Sequence, residues 1–412
     1  MHFQLRAAFM AGALAATSQP VLAEPITLDE AIRRASKAAP LLQAGDAAIA
    51  AAKAGARQAA VRPNPSLAVE GENLVGTGSY DALRQSEVSV TYSQPFERGG
   101  KRAARIAFAQ RDLGVAEASA RIARLDLAAA VQRAYIDVQI ADFVARISEK
   151  RVETETQMQR EALRRGRGYK DPLFVETRAA ARVAQARLAG VEALARLANA
   201  RNRLASFWTG SGADLQLADG FSLTSASAVT IASADQSLRD AEIVRARAAV
   251  VVEQSRATQD YTFSGGARYL RGTDDVALLA GVTIPLGRFD RNQGNIEKAQ
   301  AERQRIEFLA EADRLERLRR LASLRGDAEA ARTRADAIMA DVYPRTVRAL
   351  DQVREGYNRG GFNFRDVQDA ADAIIAVQEQ WLDAMTRFRD AQTEIDRLTG
   401  RFDAAAPVET IP

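Results

Sequence analysis

The chain has 412 residues, of which 47% are hydrophobic and 6% aromatic, and its formal net charge is +4 with both signs interspersed. Cysteine is absent and the only histidine is His2, so beyond residue 2 the usual thiolate and imidazole groups of metal sites and nucleophilic enzymes are missing. No long basic block is present, which argues against nucleic-acid binding. We therefore expect neither an enzyme nor a protein with a cofactor or a resident metal.

Residues 1–23 are typical of a secretory signal peptide. A short basic start and an apolar stretch precede small residues, with a predicted cleavage after Ala23. The exported protein would then begin near Glu24, without His2. The alternative interpretation is a buried N-terminal helix. No later stretch has the 18 consecutive apolar residues of a transmembrane helix, so we expect an exported protein that is either soluble or part of a membrane β-barrel.

The first half of the chain predicts a fixed order of elements. Residues 27–62 have helical periodicity, and two segments of alternating apolar and polar residues follow. The next long run has no proline and a single glycine, which predicts a helix of about 100 Å. The predicted order is a strand pair at 66–95, a long helix at 101–165, a tip at 166–172 and a return helix that ends by 208.

The second half predicts the same order again after a connector rich in glycine and serine. The predicted elements are the connector at 209–233, a helix from 234, a strand pair at 260–286, a long helix at 294–357, a tip at 358–364, a return helix and a tail at 401–412. Because the elements recur in one order, the sequence predicts two tandem repeats, at 24–208 and 234–400.

Each strand pair leads into its long helix through proline and glycine. The candidate junction residues are Pro95, Gly99 and Gly100 in the first repeat and Pro285, Gly287 and Gly294 in the second. We expect Pro95 to end the hydrogen-bond ladder of its strand and the two glycines after it to let the chain turn. The motif is thus predicted to be a hinge between strand and helix that occurs twice.

The strand pairs have one apolar and one polar face, which leaves two interpretations. They could cover a small core beside a helix, or they could face lipid with the apolar side and water with the side that carries Glu70, Glu72, Glu87 and Arg268. Strands that span a membrane must close into a barrel, and known barrels begin at about 8 strands. Four strands cannot close, so the second interpretation requires several chains. Alanine-rich helices with heptad-like spacing also favour close packing in a ring.

The two repeats behind a signal peptide resemble the outer membrane efflux protein (TolC-like) family over essentially the whole exported chain. The stretches "YSQPFERGGKRAARI" and "IPLGRFDRNQGNI" resemble its branch that serves cobalt–zinc–cadmium and related heavy-metal efflux systems. The resemblance implies a mainly α-helical fold with a small β part. Four strands per chain would complete a twelve-stranded trimeric β-barrel on a long periplasmic α-helical barrel.

The resemblance also implies a location and partners. The protein would be a homotrimer in the outer membrane of a Gram-negative bacterium, surrounded by outer membrane lipid and extending into the periplasm. Its tips would contact a periplasmic adaptor protein and a proton-driven inner-membrane pump of the resistance-nodulation-division (RND) type. The candidate contact residues at the tips are Gly166, Gly168, Tyr169, Gly360 and Gly361.

The family closes its periplasmic entrance with residues just after the second tip. There a tyrosine is followed nine positions later by the first of two aspartates spaced i, i+3, which matches Tyr357, Asp366 and Asp369. In a trimer the aspartates would form rings of negative charge that attract cations. The alternative is that Asp366 caps the first turn of a helix.

A locking arginine of the family has no direct match in this chain. It would fall at Phe362, so Arg359 and Arg365 are the candidate replacements.

The predicted function is a passive exit duct of a tripartite RND-type efflux system, exporting heavy-metal cations without an energy source of its own. Beyond the predicted signal peptide the only soft ligands are Met158, Met339 and Met385, so selection of the metal would lie in the pump or the adaptor. Two alternatives remain open. The first is an outer membrane factor for multidrug efflux or type I secretion. The second is a periplasmic coiled-coil adaptor or scaffold, which would typically have one hairpin flanked by compact β-domains.

Overall fold

The computed structural model describes residues 25–168, 171–213, 215–218 and 233–403. The predicted signal peptide, Tyr169, most of the predicted connector and most of the predicted tail lie outside the described residues.

Eight α-helices account for most of the described chain. They are α1 (Leu28–Ala38), α2 (Pro40–Ala59), α3 (Lys101–Arg167), α4 (Leu173–Ser206), α5 (Ser233–Arg256), α6 (Gln293–Ala337), α7 (Tyr343–Arg359) and α8 (Phe364–Thr399). With 67 residues, α3 is about 100 Å long. Among the described residues, no helix has both the length and the apolar character needed to cross a bilayer.

Four strands form one antiparallel sheet in chain order. They are β1 (Ser66–Glu72), β2 (Glu87–Phe96), β3 (Tyr261–Leu270) and β4 (Asp275–Thr283). The pairing of β2 with β3 joins the strand pair of the first predicted repeat to that of the second. The sheet therefore combines strands from both halves of the chain, and its outer strands are β1 and β4.

Pro95 does not end its strand, contrary to the sequence prediction. The ladder with β1 stops at Ser93, but β2 continues to Phe96 and pairs there with Tyr261 of β3. Proline lacks only the N–H donor, so it is tolerated in a strand where one neighbouring strand has already ended.

The two faces of the sheet differ in chemistry. Along β2, the side chains of Val88, Val90 and Tyr92 are exposed, whereas Ser89 between them is buried. On the side of Ser89, the guanidinium of Arg268 binds Ser89, Glu87 and Glu72, which lie on β1 and β2. The described strands thus combine a face of exposed apolar side chains with a face that carries paired charges.

The helices pack along their length, α3 against α2, α4 and α5, and α6 against α8. Alanine supplies many of the buried positions, and close packing follows because small side chains let helix axes approach. One apolar cluster at the tips joins four helices: Met158 and Ala162 of α3, Val175 and Ala179 of α4, Leu350 and Tyr357 of α7, and Phe364, Val367 and Ala371 of α8. This cluster fixes the two tips side by side.

The predicted long helix of the second repeat is interrupted. A π-helical turn spans Ile338–Val342 and separates α6 from α7. Pro344 is the second residue of α7. Proline removes a hydrogen bond to the carbonyl four residues earlier and clashes with it. A wider turn relieves that clash, so Pro344 was the sequence signal for this interruption.

Candidate functional site

Glycine residues lie where the helices end at both tips. At the second tip, Gly360 has φ +85° and ends α7, with its N–H donating to the carbonyl of Tyr357 at 3.0 Å. The N–H of Gly361 donates to the carbonyl of Gly356 at 2.8 Å. At the first tip, Gly166 lies in the last turn of α3 and Gly168 caps that helix. The ends of α3 and α7 and the starts of α4 and α8 contribute side chains to the apolar cluster at the tips.

Tyr357 is the centre of a polar cluster between the tips. Its side chain is 1% exposed, and its hydroxyl donates a hydrogen bond to the carboxylate of Asp171. The guanidinium of Arg165 lies 4.1 Å from the centre of the Tyr357 ring and donates to the Tyr357 carbonyl at 2.6 Å. Arg165 also binds Asp171 through two hydrogen bonds, of 2.9 and 3.2 Å. We call these three residues the Tyr357 cluster.

The charges in the Tyr357 cluster stabilise one protonation state. Burial and the hydrogen bond to Asp171 raise the pKa of Tyr357, so its hydroxyl stays protonated and remains a donor. Burial alone would raise the pKa of Asp171, but the hydrogen bonds from Arg165 and Tyr357 lower it overall. The carboxylate is therefore ionised at neutral pH, which strengthens both of its bonds.

The two candidate gate aspartates lie on the first turns of α8. One carboxylate oxygen of Asp366 accepts the N–H of Asn363 at 2.8 Å, and the N–H of Asp366 donates to the Asn363 side chain at 3.0 Å. This is a capping box at the start of α8. Asp369 is exposed and lies 3.8 Å from Arg365 on the same helix. Asp366 therefore has the capping role, and a role for both aspartates in a gate remains a prediction.

Neither candidate arginine lies in the Tyr357 cluster. Arg359 pairs with Glu355 on the exposed side of α7, and Arg365 pairs with Asp369. The arginine that contacts Tyr357 is Arg165, at the end of the first repeat's long helix. Arg165 and Asp171 were not predicted, although a pair of opposite charges on either side of a glycine-rich turn was visible in the sequence.

At the first strand-to-helix junction, both glycines have the left-handed conformation, with φ +67° at Gly99 and +72° at Gly100. A Cβ atom on Gly99 would lie 2.5 Å from the Cβ of Thr258, so this glycine is required for space as well as conformation. Asp260 holds the turn by accepting the N–H of Arg98 at 2.9 Å and the ammonium of Lys101 at 2.8 Å. The predicted hinge is thus fixed by a residue of the second repeat.

The start of α3 is tied to the end of α2. Arg102 donates to the carbonyl of Ala60 at 2.7 Å, and Arg105 donates to the carbonyls of Ala59 and Val61 at 3.3 and 3.1 Å. These carbonyls lie at and just past the end of α2, where helix groups lack intrahelical partners, and arginine side chains are suitable donors there.

The second junction uses asparagine where the first uses glycine. Asn292 has φ +58° and precedes α6, and its side-chain amide donates to the carbonyl of Glu253 at 2.8 Å. Gly294 lies in the first turn of α6 with no atom within 4 Å of a Cβ position, and Pro285 follows the end of β4. A Cβ on Gly287 would lie 3.0 Å from the Gln259 amide. Asn292, which was not predicted, is therefore the residue that turns the chain.

No group of three or more histidine, cysteine or acidic side chains is arranged to hold a metal ion in the part of the chain that the structure describes.

Comparisons with known proteins point to one family. Residues 31–210 match the model of the family described as outer membrane efflux protein. The chain is 30% identical to the cobalt-zinc-cadmium resistance protein CzcC of Cupriavidus metallidurans, over 92% of this chain and 91% of CzcC. It is 31% identical to the nickel and cobalt resistance protein CnrC of the same organism, over 63% of each chain. The nickel-cobalt-cadmium resistance protein NccC of Alcaligenes xylosoxydans xylosoxydans is 27% identical, over 69% of this chain.

Solved structures share the fold. CusC has a TM-score of 0.74 at 16% identity, and the match covers 90% of this chain and 91% of CusC. VceC of Vibrio cholerae has a TM-score of 0.74 at 19% identity, over 90% of this chain and 96% of VceC. The outer-membrane channel OprN has a TM-score of 0.76 at 16% identity, over 90% of this chain and 89% of OprN. The predicted fold class, mainly α-helical with a small β part, is confirmed.

Proposed function

The chain belongs to the outer membrane efflux protein family, in the branch that contains heavy-metal resistance proteins, and on this basis we propose that it is the exit duct for heavy-metal cations in a tripartite RND-type efflux system. The observation that carries the proposal is the similarity to CzcC, which extends over 92% of this chain and so includes both repeats. The cargo would be cations of the cobalt, zinc and cadmium type.

The duct is passive in this proposal. The described residues offer no metal-binding group of acidic side chains, and beyond residue 2 the sequence has no histidine or cysteine. A protein that selected transition metals by ligation would want such ligands. Selection and energy therefore belong to the pump and the adaptor.

The proposed assembly is a homotrimer in the outer membrane that extends into the periplasm. Two features support it. The four-stranded sheet has unpaired outer strands, β1 and β4, which need neighbours to satisfy their backbone groups in a membrane. Its exposed apolar side chains, such as Val90 and Leu278, suit contact with lipid. Three chains would supply twelve strands, and the tips at Gly168 and Gly360 would meet the adaptor and the pump.

Deletion of the gene in the source strain tests the function. We expect lower tolerance to at least one of zinc, cobalt, cadmium, nickel and copper, restored by the wild-type gene, and unchanged tolerance to a panel of drugs. Lost drug tolerance with unchanged metal tolerance would contradict the proposed cargo and favour a multidrug duct. The proposed assembly predicts heat-resistant trimers in the outer membrane fraction, whereas a purely soluble periplasmic protein would contradict it.

A further inference from the structure

One arginine links the two hairpins above the tips. The guanidinium of Arg182 on α4 donates to Glu155 of α3, with contacts of 3.0 and 3.1 Å to Oε1. It also donates through Nη1 to Oδ2 of Asp372 on α8 at 3.1 Å. We call these residues the Arg182 bridge. Glu155 and Arg182 belong to the α3/α4 hairpin, and Asp372 belongs to the α7/α8 hairpin, so only the contact with Asp372 crosses between the repeats.

The three side chains differ in their contact with water. Glu155 is 4% exposed, Arg182 is 18% exposed and Asp372 is 47% exposed. The deeply buried carboxylate is therefore the one within Arg182's own hairpin, and the accessible one is on the neighbouring hairpin. Breaking a buried pair leaves a buried charge without compensation, which is strongly unfavourable, whereas a half-exposed carboxylate can be solvated on release.

This asymmetry determines what happens when α8 moves away from α4. Arg182 keeps Glu155 as its partner, so no unpaired charge remains inside the α3/α4 hairpin. Asp372 passes into water. The bridge can open and close again at modest cost, unlike the buried Tyr357 cluster, in which both charged groups are mostly buried.

A second observation concerns the same face of α8. Gln368 lies one turn before Asp372, at i and i+4, and it is 1% exposed. Neither atom of its side-chain amide has a hydrogen-bond partner among the described residues. Buried amides are normally satisfied, and an unsatisfied one disfavours the arrangement that buries it. The unsatisfied amide of Gln368 therefore makes the observed position of α8 less favourable in free energy than it would be with a satisfied amide.

We propose that Asp372 is a positioning residue of the periplasmic entrance: through Arg182 it holds α8 on the α3/α4 hairpin, and its release lets α8 move when the entrance opens. Glu155 is the acceptor that retains Arg182 during that movement. The inference rests on the proposed function, because it takes the tip region to be the entrance of a duct.

Two substitutions distinguish this role from a merely structural one. Asp372→Asn weakens the crossing contact and leaves Arg182 with Glu155. Glu155→Gln leaves Asp372 as the only ionised partner of Arg182 among the described residues, so release of α8 would then leave Arg182 as an unpaired charge inside the α3/α4 hairpin. We expect the open probability to rise about fivefold in the first variant, the size expected for a half-exposed ion pair, and to fall by a larger factor in the second, because an unpaired buried charge is more costly. A structural bridge would move both variants in one direction.

The experiment is single-channel recording of the purified full chain in planar bilayers. Asp383→Asn is the matched control, because Asp383 is a partly exposed aspartate on α8 that pairs with Arg387 of its own helix. Opposite shifts for the two bridge variants, with an unchanged control, support the proposal. Shifts of the same sign, or no shift for Asp372→Asn in a protein that conducts, overturn it.

A second measurement separates this inference from the proposed function. The sequence has no cysteine, so Ala371→Cys, at a buried position next to Asp372, gives a single reporter on α8. We expect a maleimide reagent to label it faster when Asp372→Asn is added and more slowly when Glu155→Gln is added. If the protein forms no channel but labelling changes in these directions, the proposed function fails, and with it the entrance, while the finding that Asp372 holds α8 on the α3/α4 hairpin stands. Equal labelling rates in all three proteins overturn the role of Asp372.

Discussion

The hydroxyl of Tyr357 donates a hydrogen bond to the carboxylate of Asp171, a residue 186 positions earlier in the chain. The bond joins the last turn of α7 to the loop between α3 and α4, and so it links the tip of one repeat to the tip of the other. Arg165 binds both residues and completes the link.

Tyr357→Phe tests the importance of this hydroxyl. The substitution keeps the ring on which Arg165 and Phe364 pack but removes the bond to Asp171. We expect the free energy of unfolding to fall by about 2 kcal/mol, because a hydrogen bond to an ionised carboxylate contributes more than one between neutral groups. If the tips form the entrance, the conductance in planar bilayers should rise.

The control for that experiment is Tyr343→Phe, at the opposite end of α7. A loss of stability without any change in conductance would show that the hydroxyl stabilises the tip but does not hold it closed.

The ionisation of Asp171 predicts a pH dependence of stability. The pKa of this carboxyl is lowered in the folded protein from its ordinary value of 3.8. Its contribution to stability is therefore complete above that value and is lost as the pH falls through the lower folded value. We expect the melting temperature of the wild type to exceed that of Asp171→Asn by a constant amount from about pH 6 to about pH 8. The difference should shrink below about pH 4. If the difference in melting temperature between the two proteins is as large below about pH 4 as at neutral pH, Asp171 is not ionised in the folded protein in the way we infer.

The first junction predicts unequal effects of two neighbouring glycines. Gly99→Ala places a Cβ 2.5 Å from the Cβ of Thr258, in addition to the strain of a positive φ. Gly100→Ala has the same strain, about 1–2 kcal/mol, but nothing within 4 Å. We expect Gly99→Ala to reduce the yield of heat-resistant trimers far more than Gly100→Ala on unheated gels. Equal yields would mean that Thr258 moves aside.

Arg268 provides a test of the polar face of the sheet. Its guanidinium pairs with Glu72 and Glu87, and Arg268→Gln leaves both carboxylates without a cation. If this face lines a pore, the variant should favour cations more strongly than the wild type, because rings of acidic side chains select for cations. The reversal potential across a salt gradient measures this. Arg271→Gln, just past the end of β3, is the control, and an unchanged potential for Arg268→Gln would place the charges away from the ion path.

The fold was predictable because its signals are local. Apolar and polar residues that alternate with period two identify strands such as β2, and a long run without proline identifies α3. Both patterns depend only on residues that are neighbours in sequence. The junction at Gly99 and Gly100 was predictable for the same reason, since only a few neighbouring residues define it. Pro344 is an equally local signal, and it marks the π turn that interrupts the helix predicted at 294–357.

The site was predictable only in part. Tyr357 could be named because its spacing to Asp366 matches the pattern of the family that the sequence resembles. Arg165 and Asp171 lie in the other predicted repeat, and their approach depends on how two hairpins pack. Charged residues that are far apart in sequence but pair in the folded protein produce no periodic pattern in the sequence. The capping role of Asp366, by contrast, was accessible from Asn363 three residues earlier.

The π turn at Ile338–Val342 has a consequence for symmetry. The equivalent helix of the first repeat, α3, is α-helical without interruption from Lys101 to Arg167. Each residue of an α-helix rotates the chain by about 100°, and a π turn holds more residues than an α turn, so the faces of α7 are rotated relative to those of α3. A ring of three such chains would therefore have only threefold equivalence at its lower end, although it would contain six copies of the predicted repeat. Any protein that docks there would meet two different surfaces on every chain.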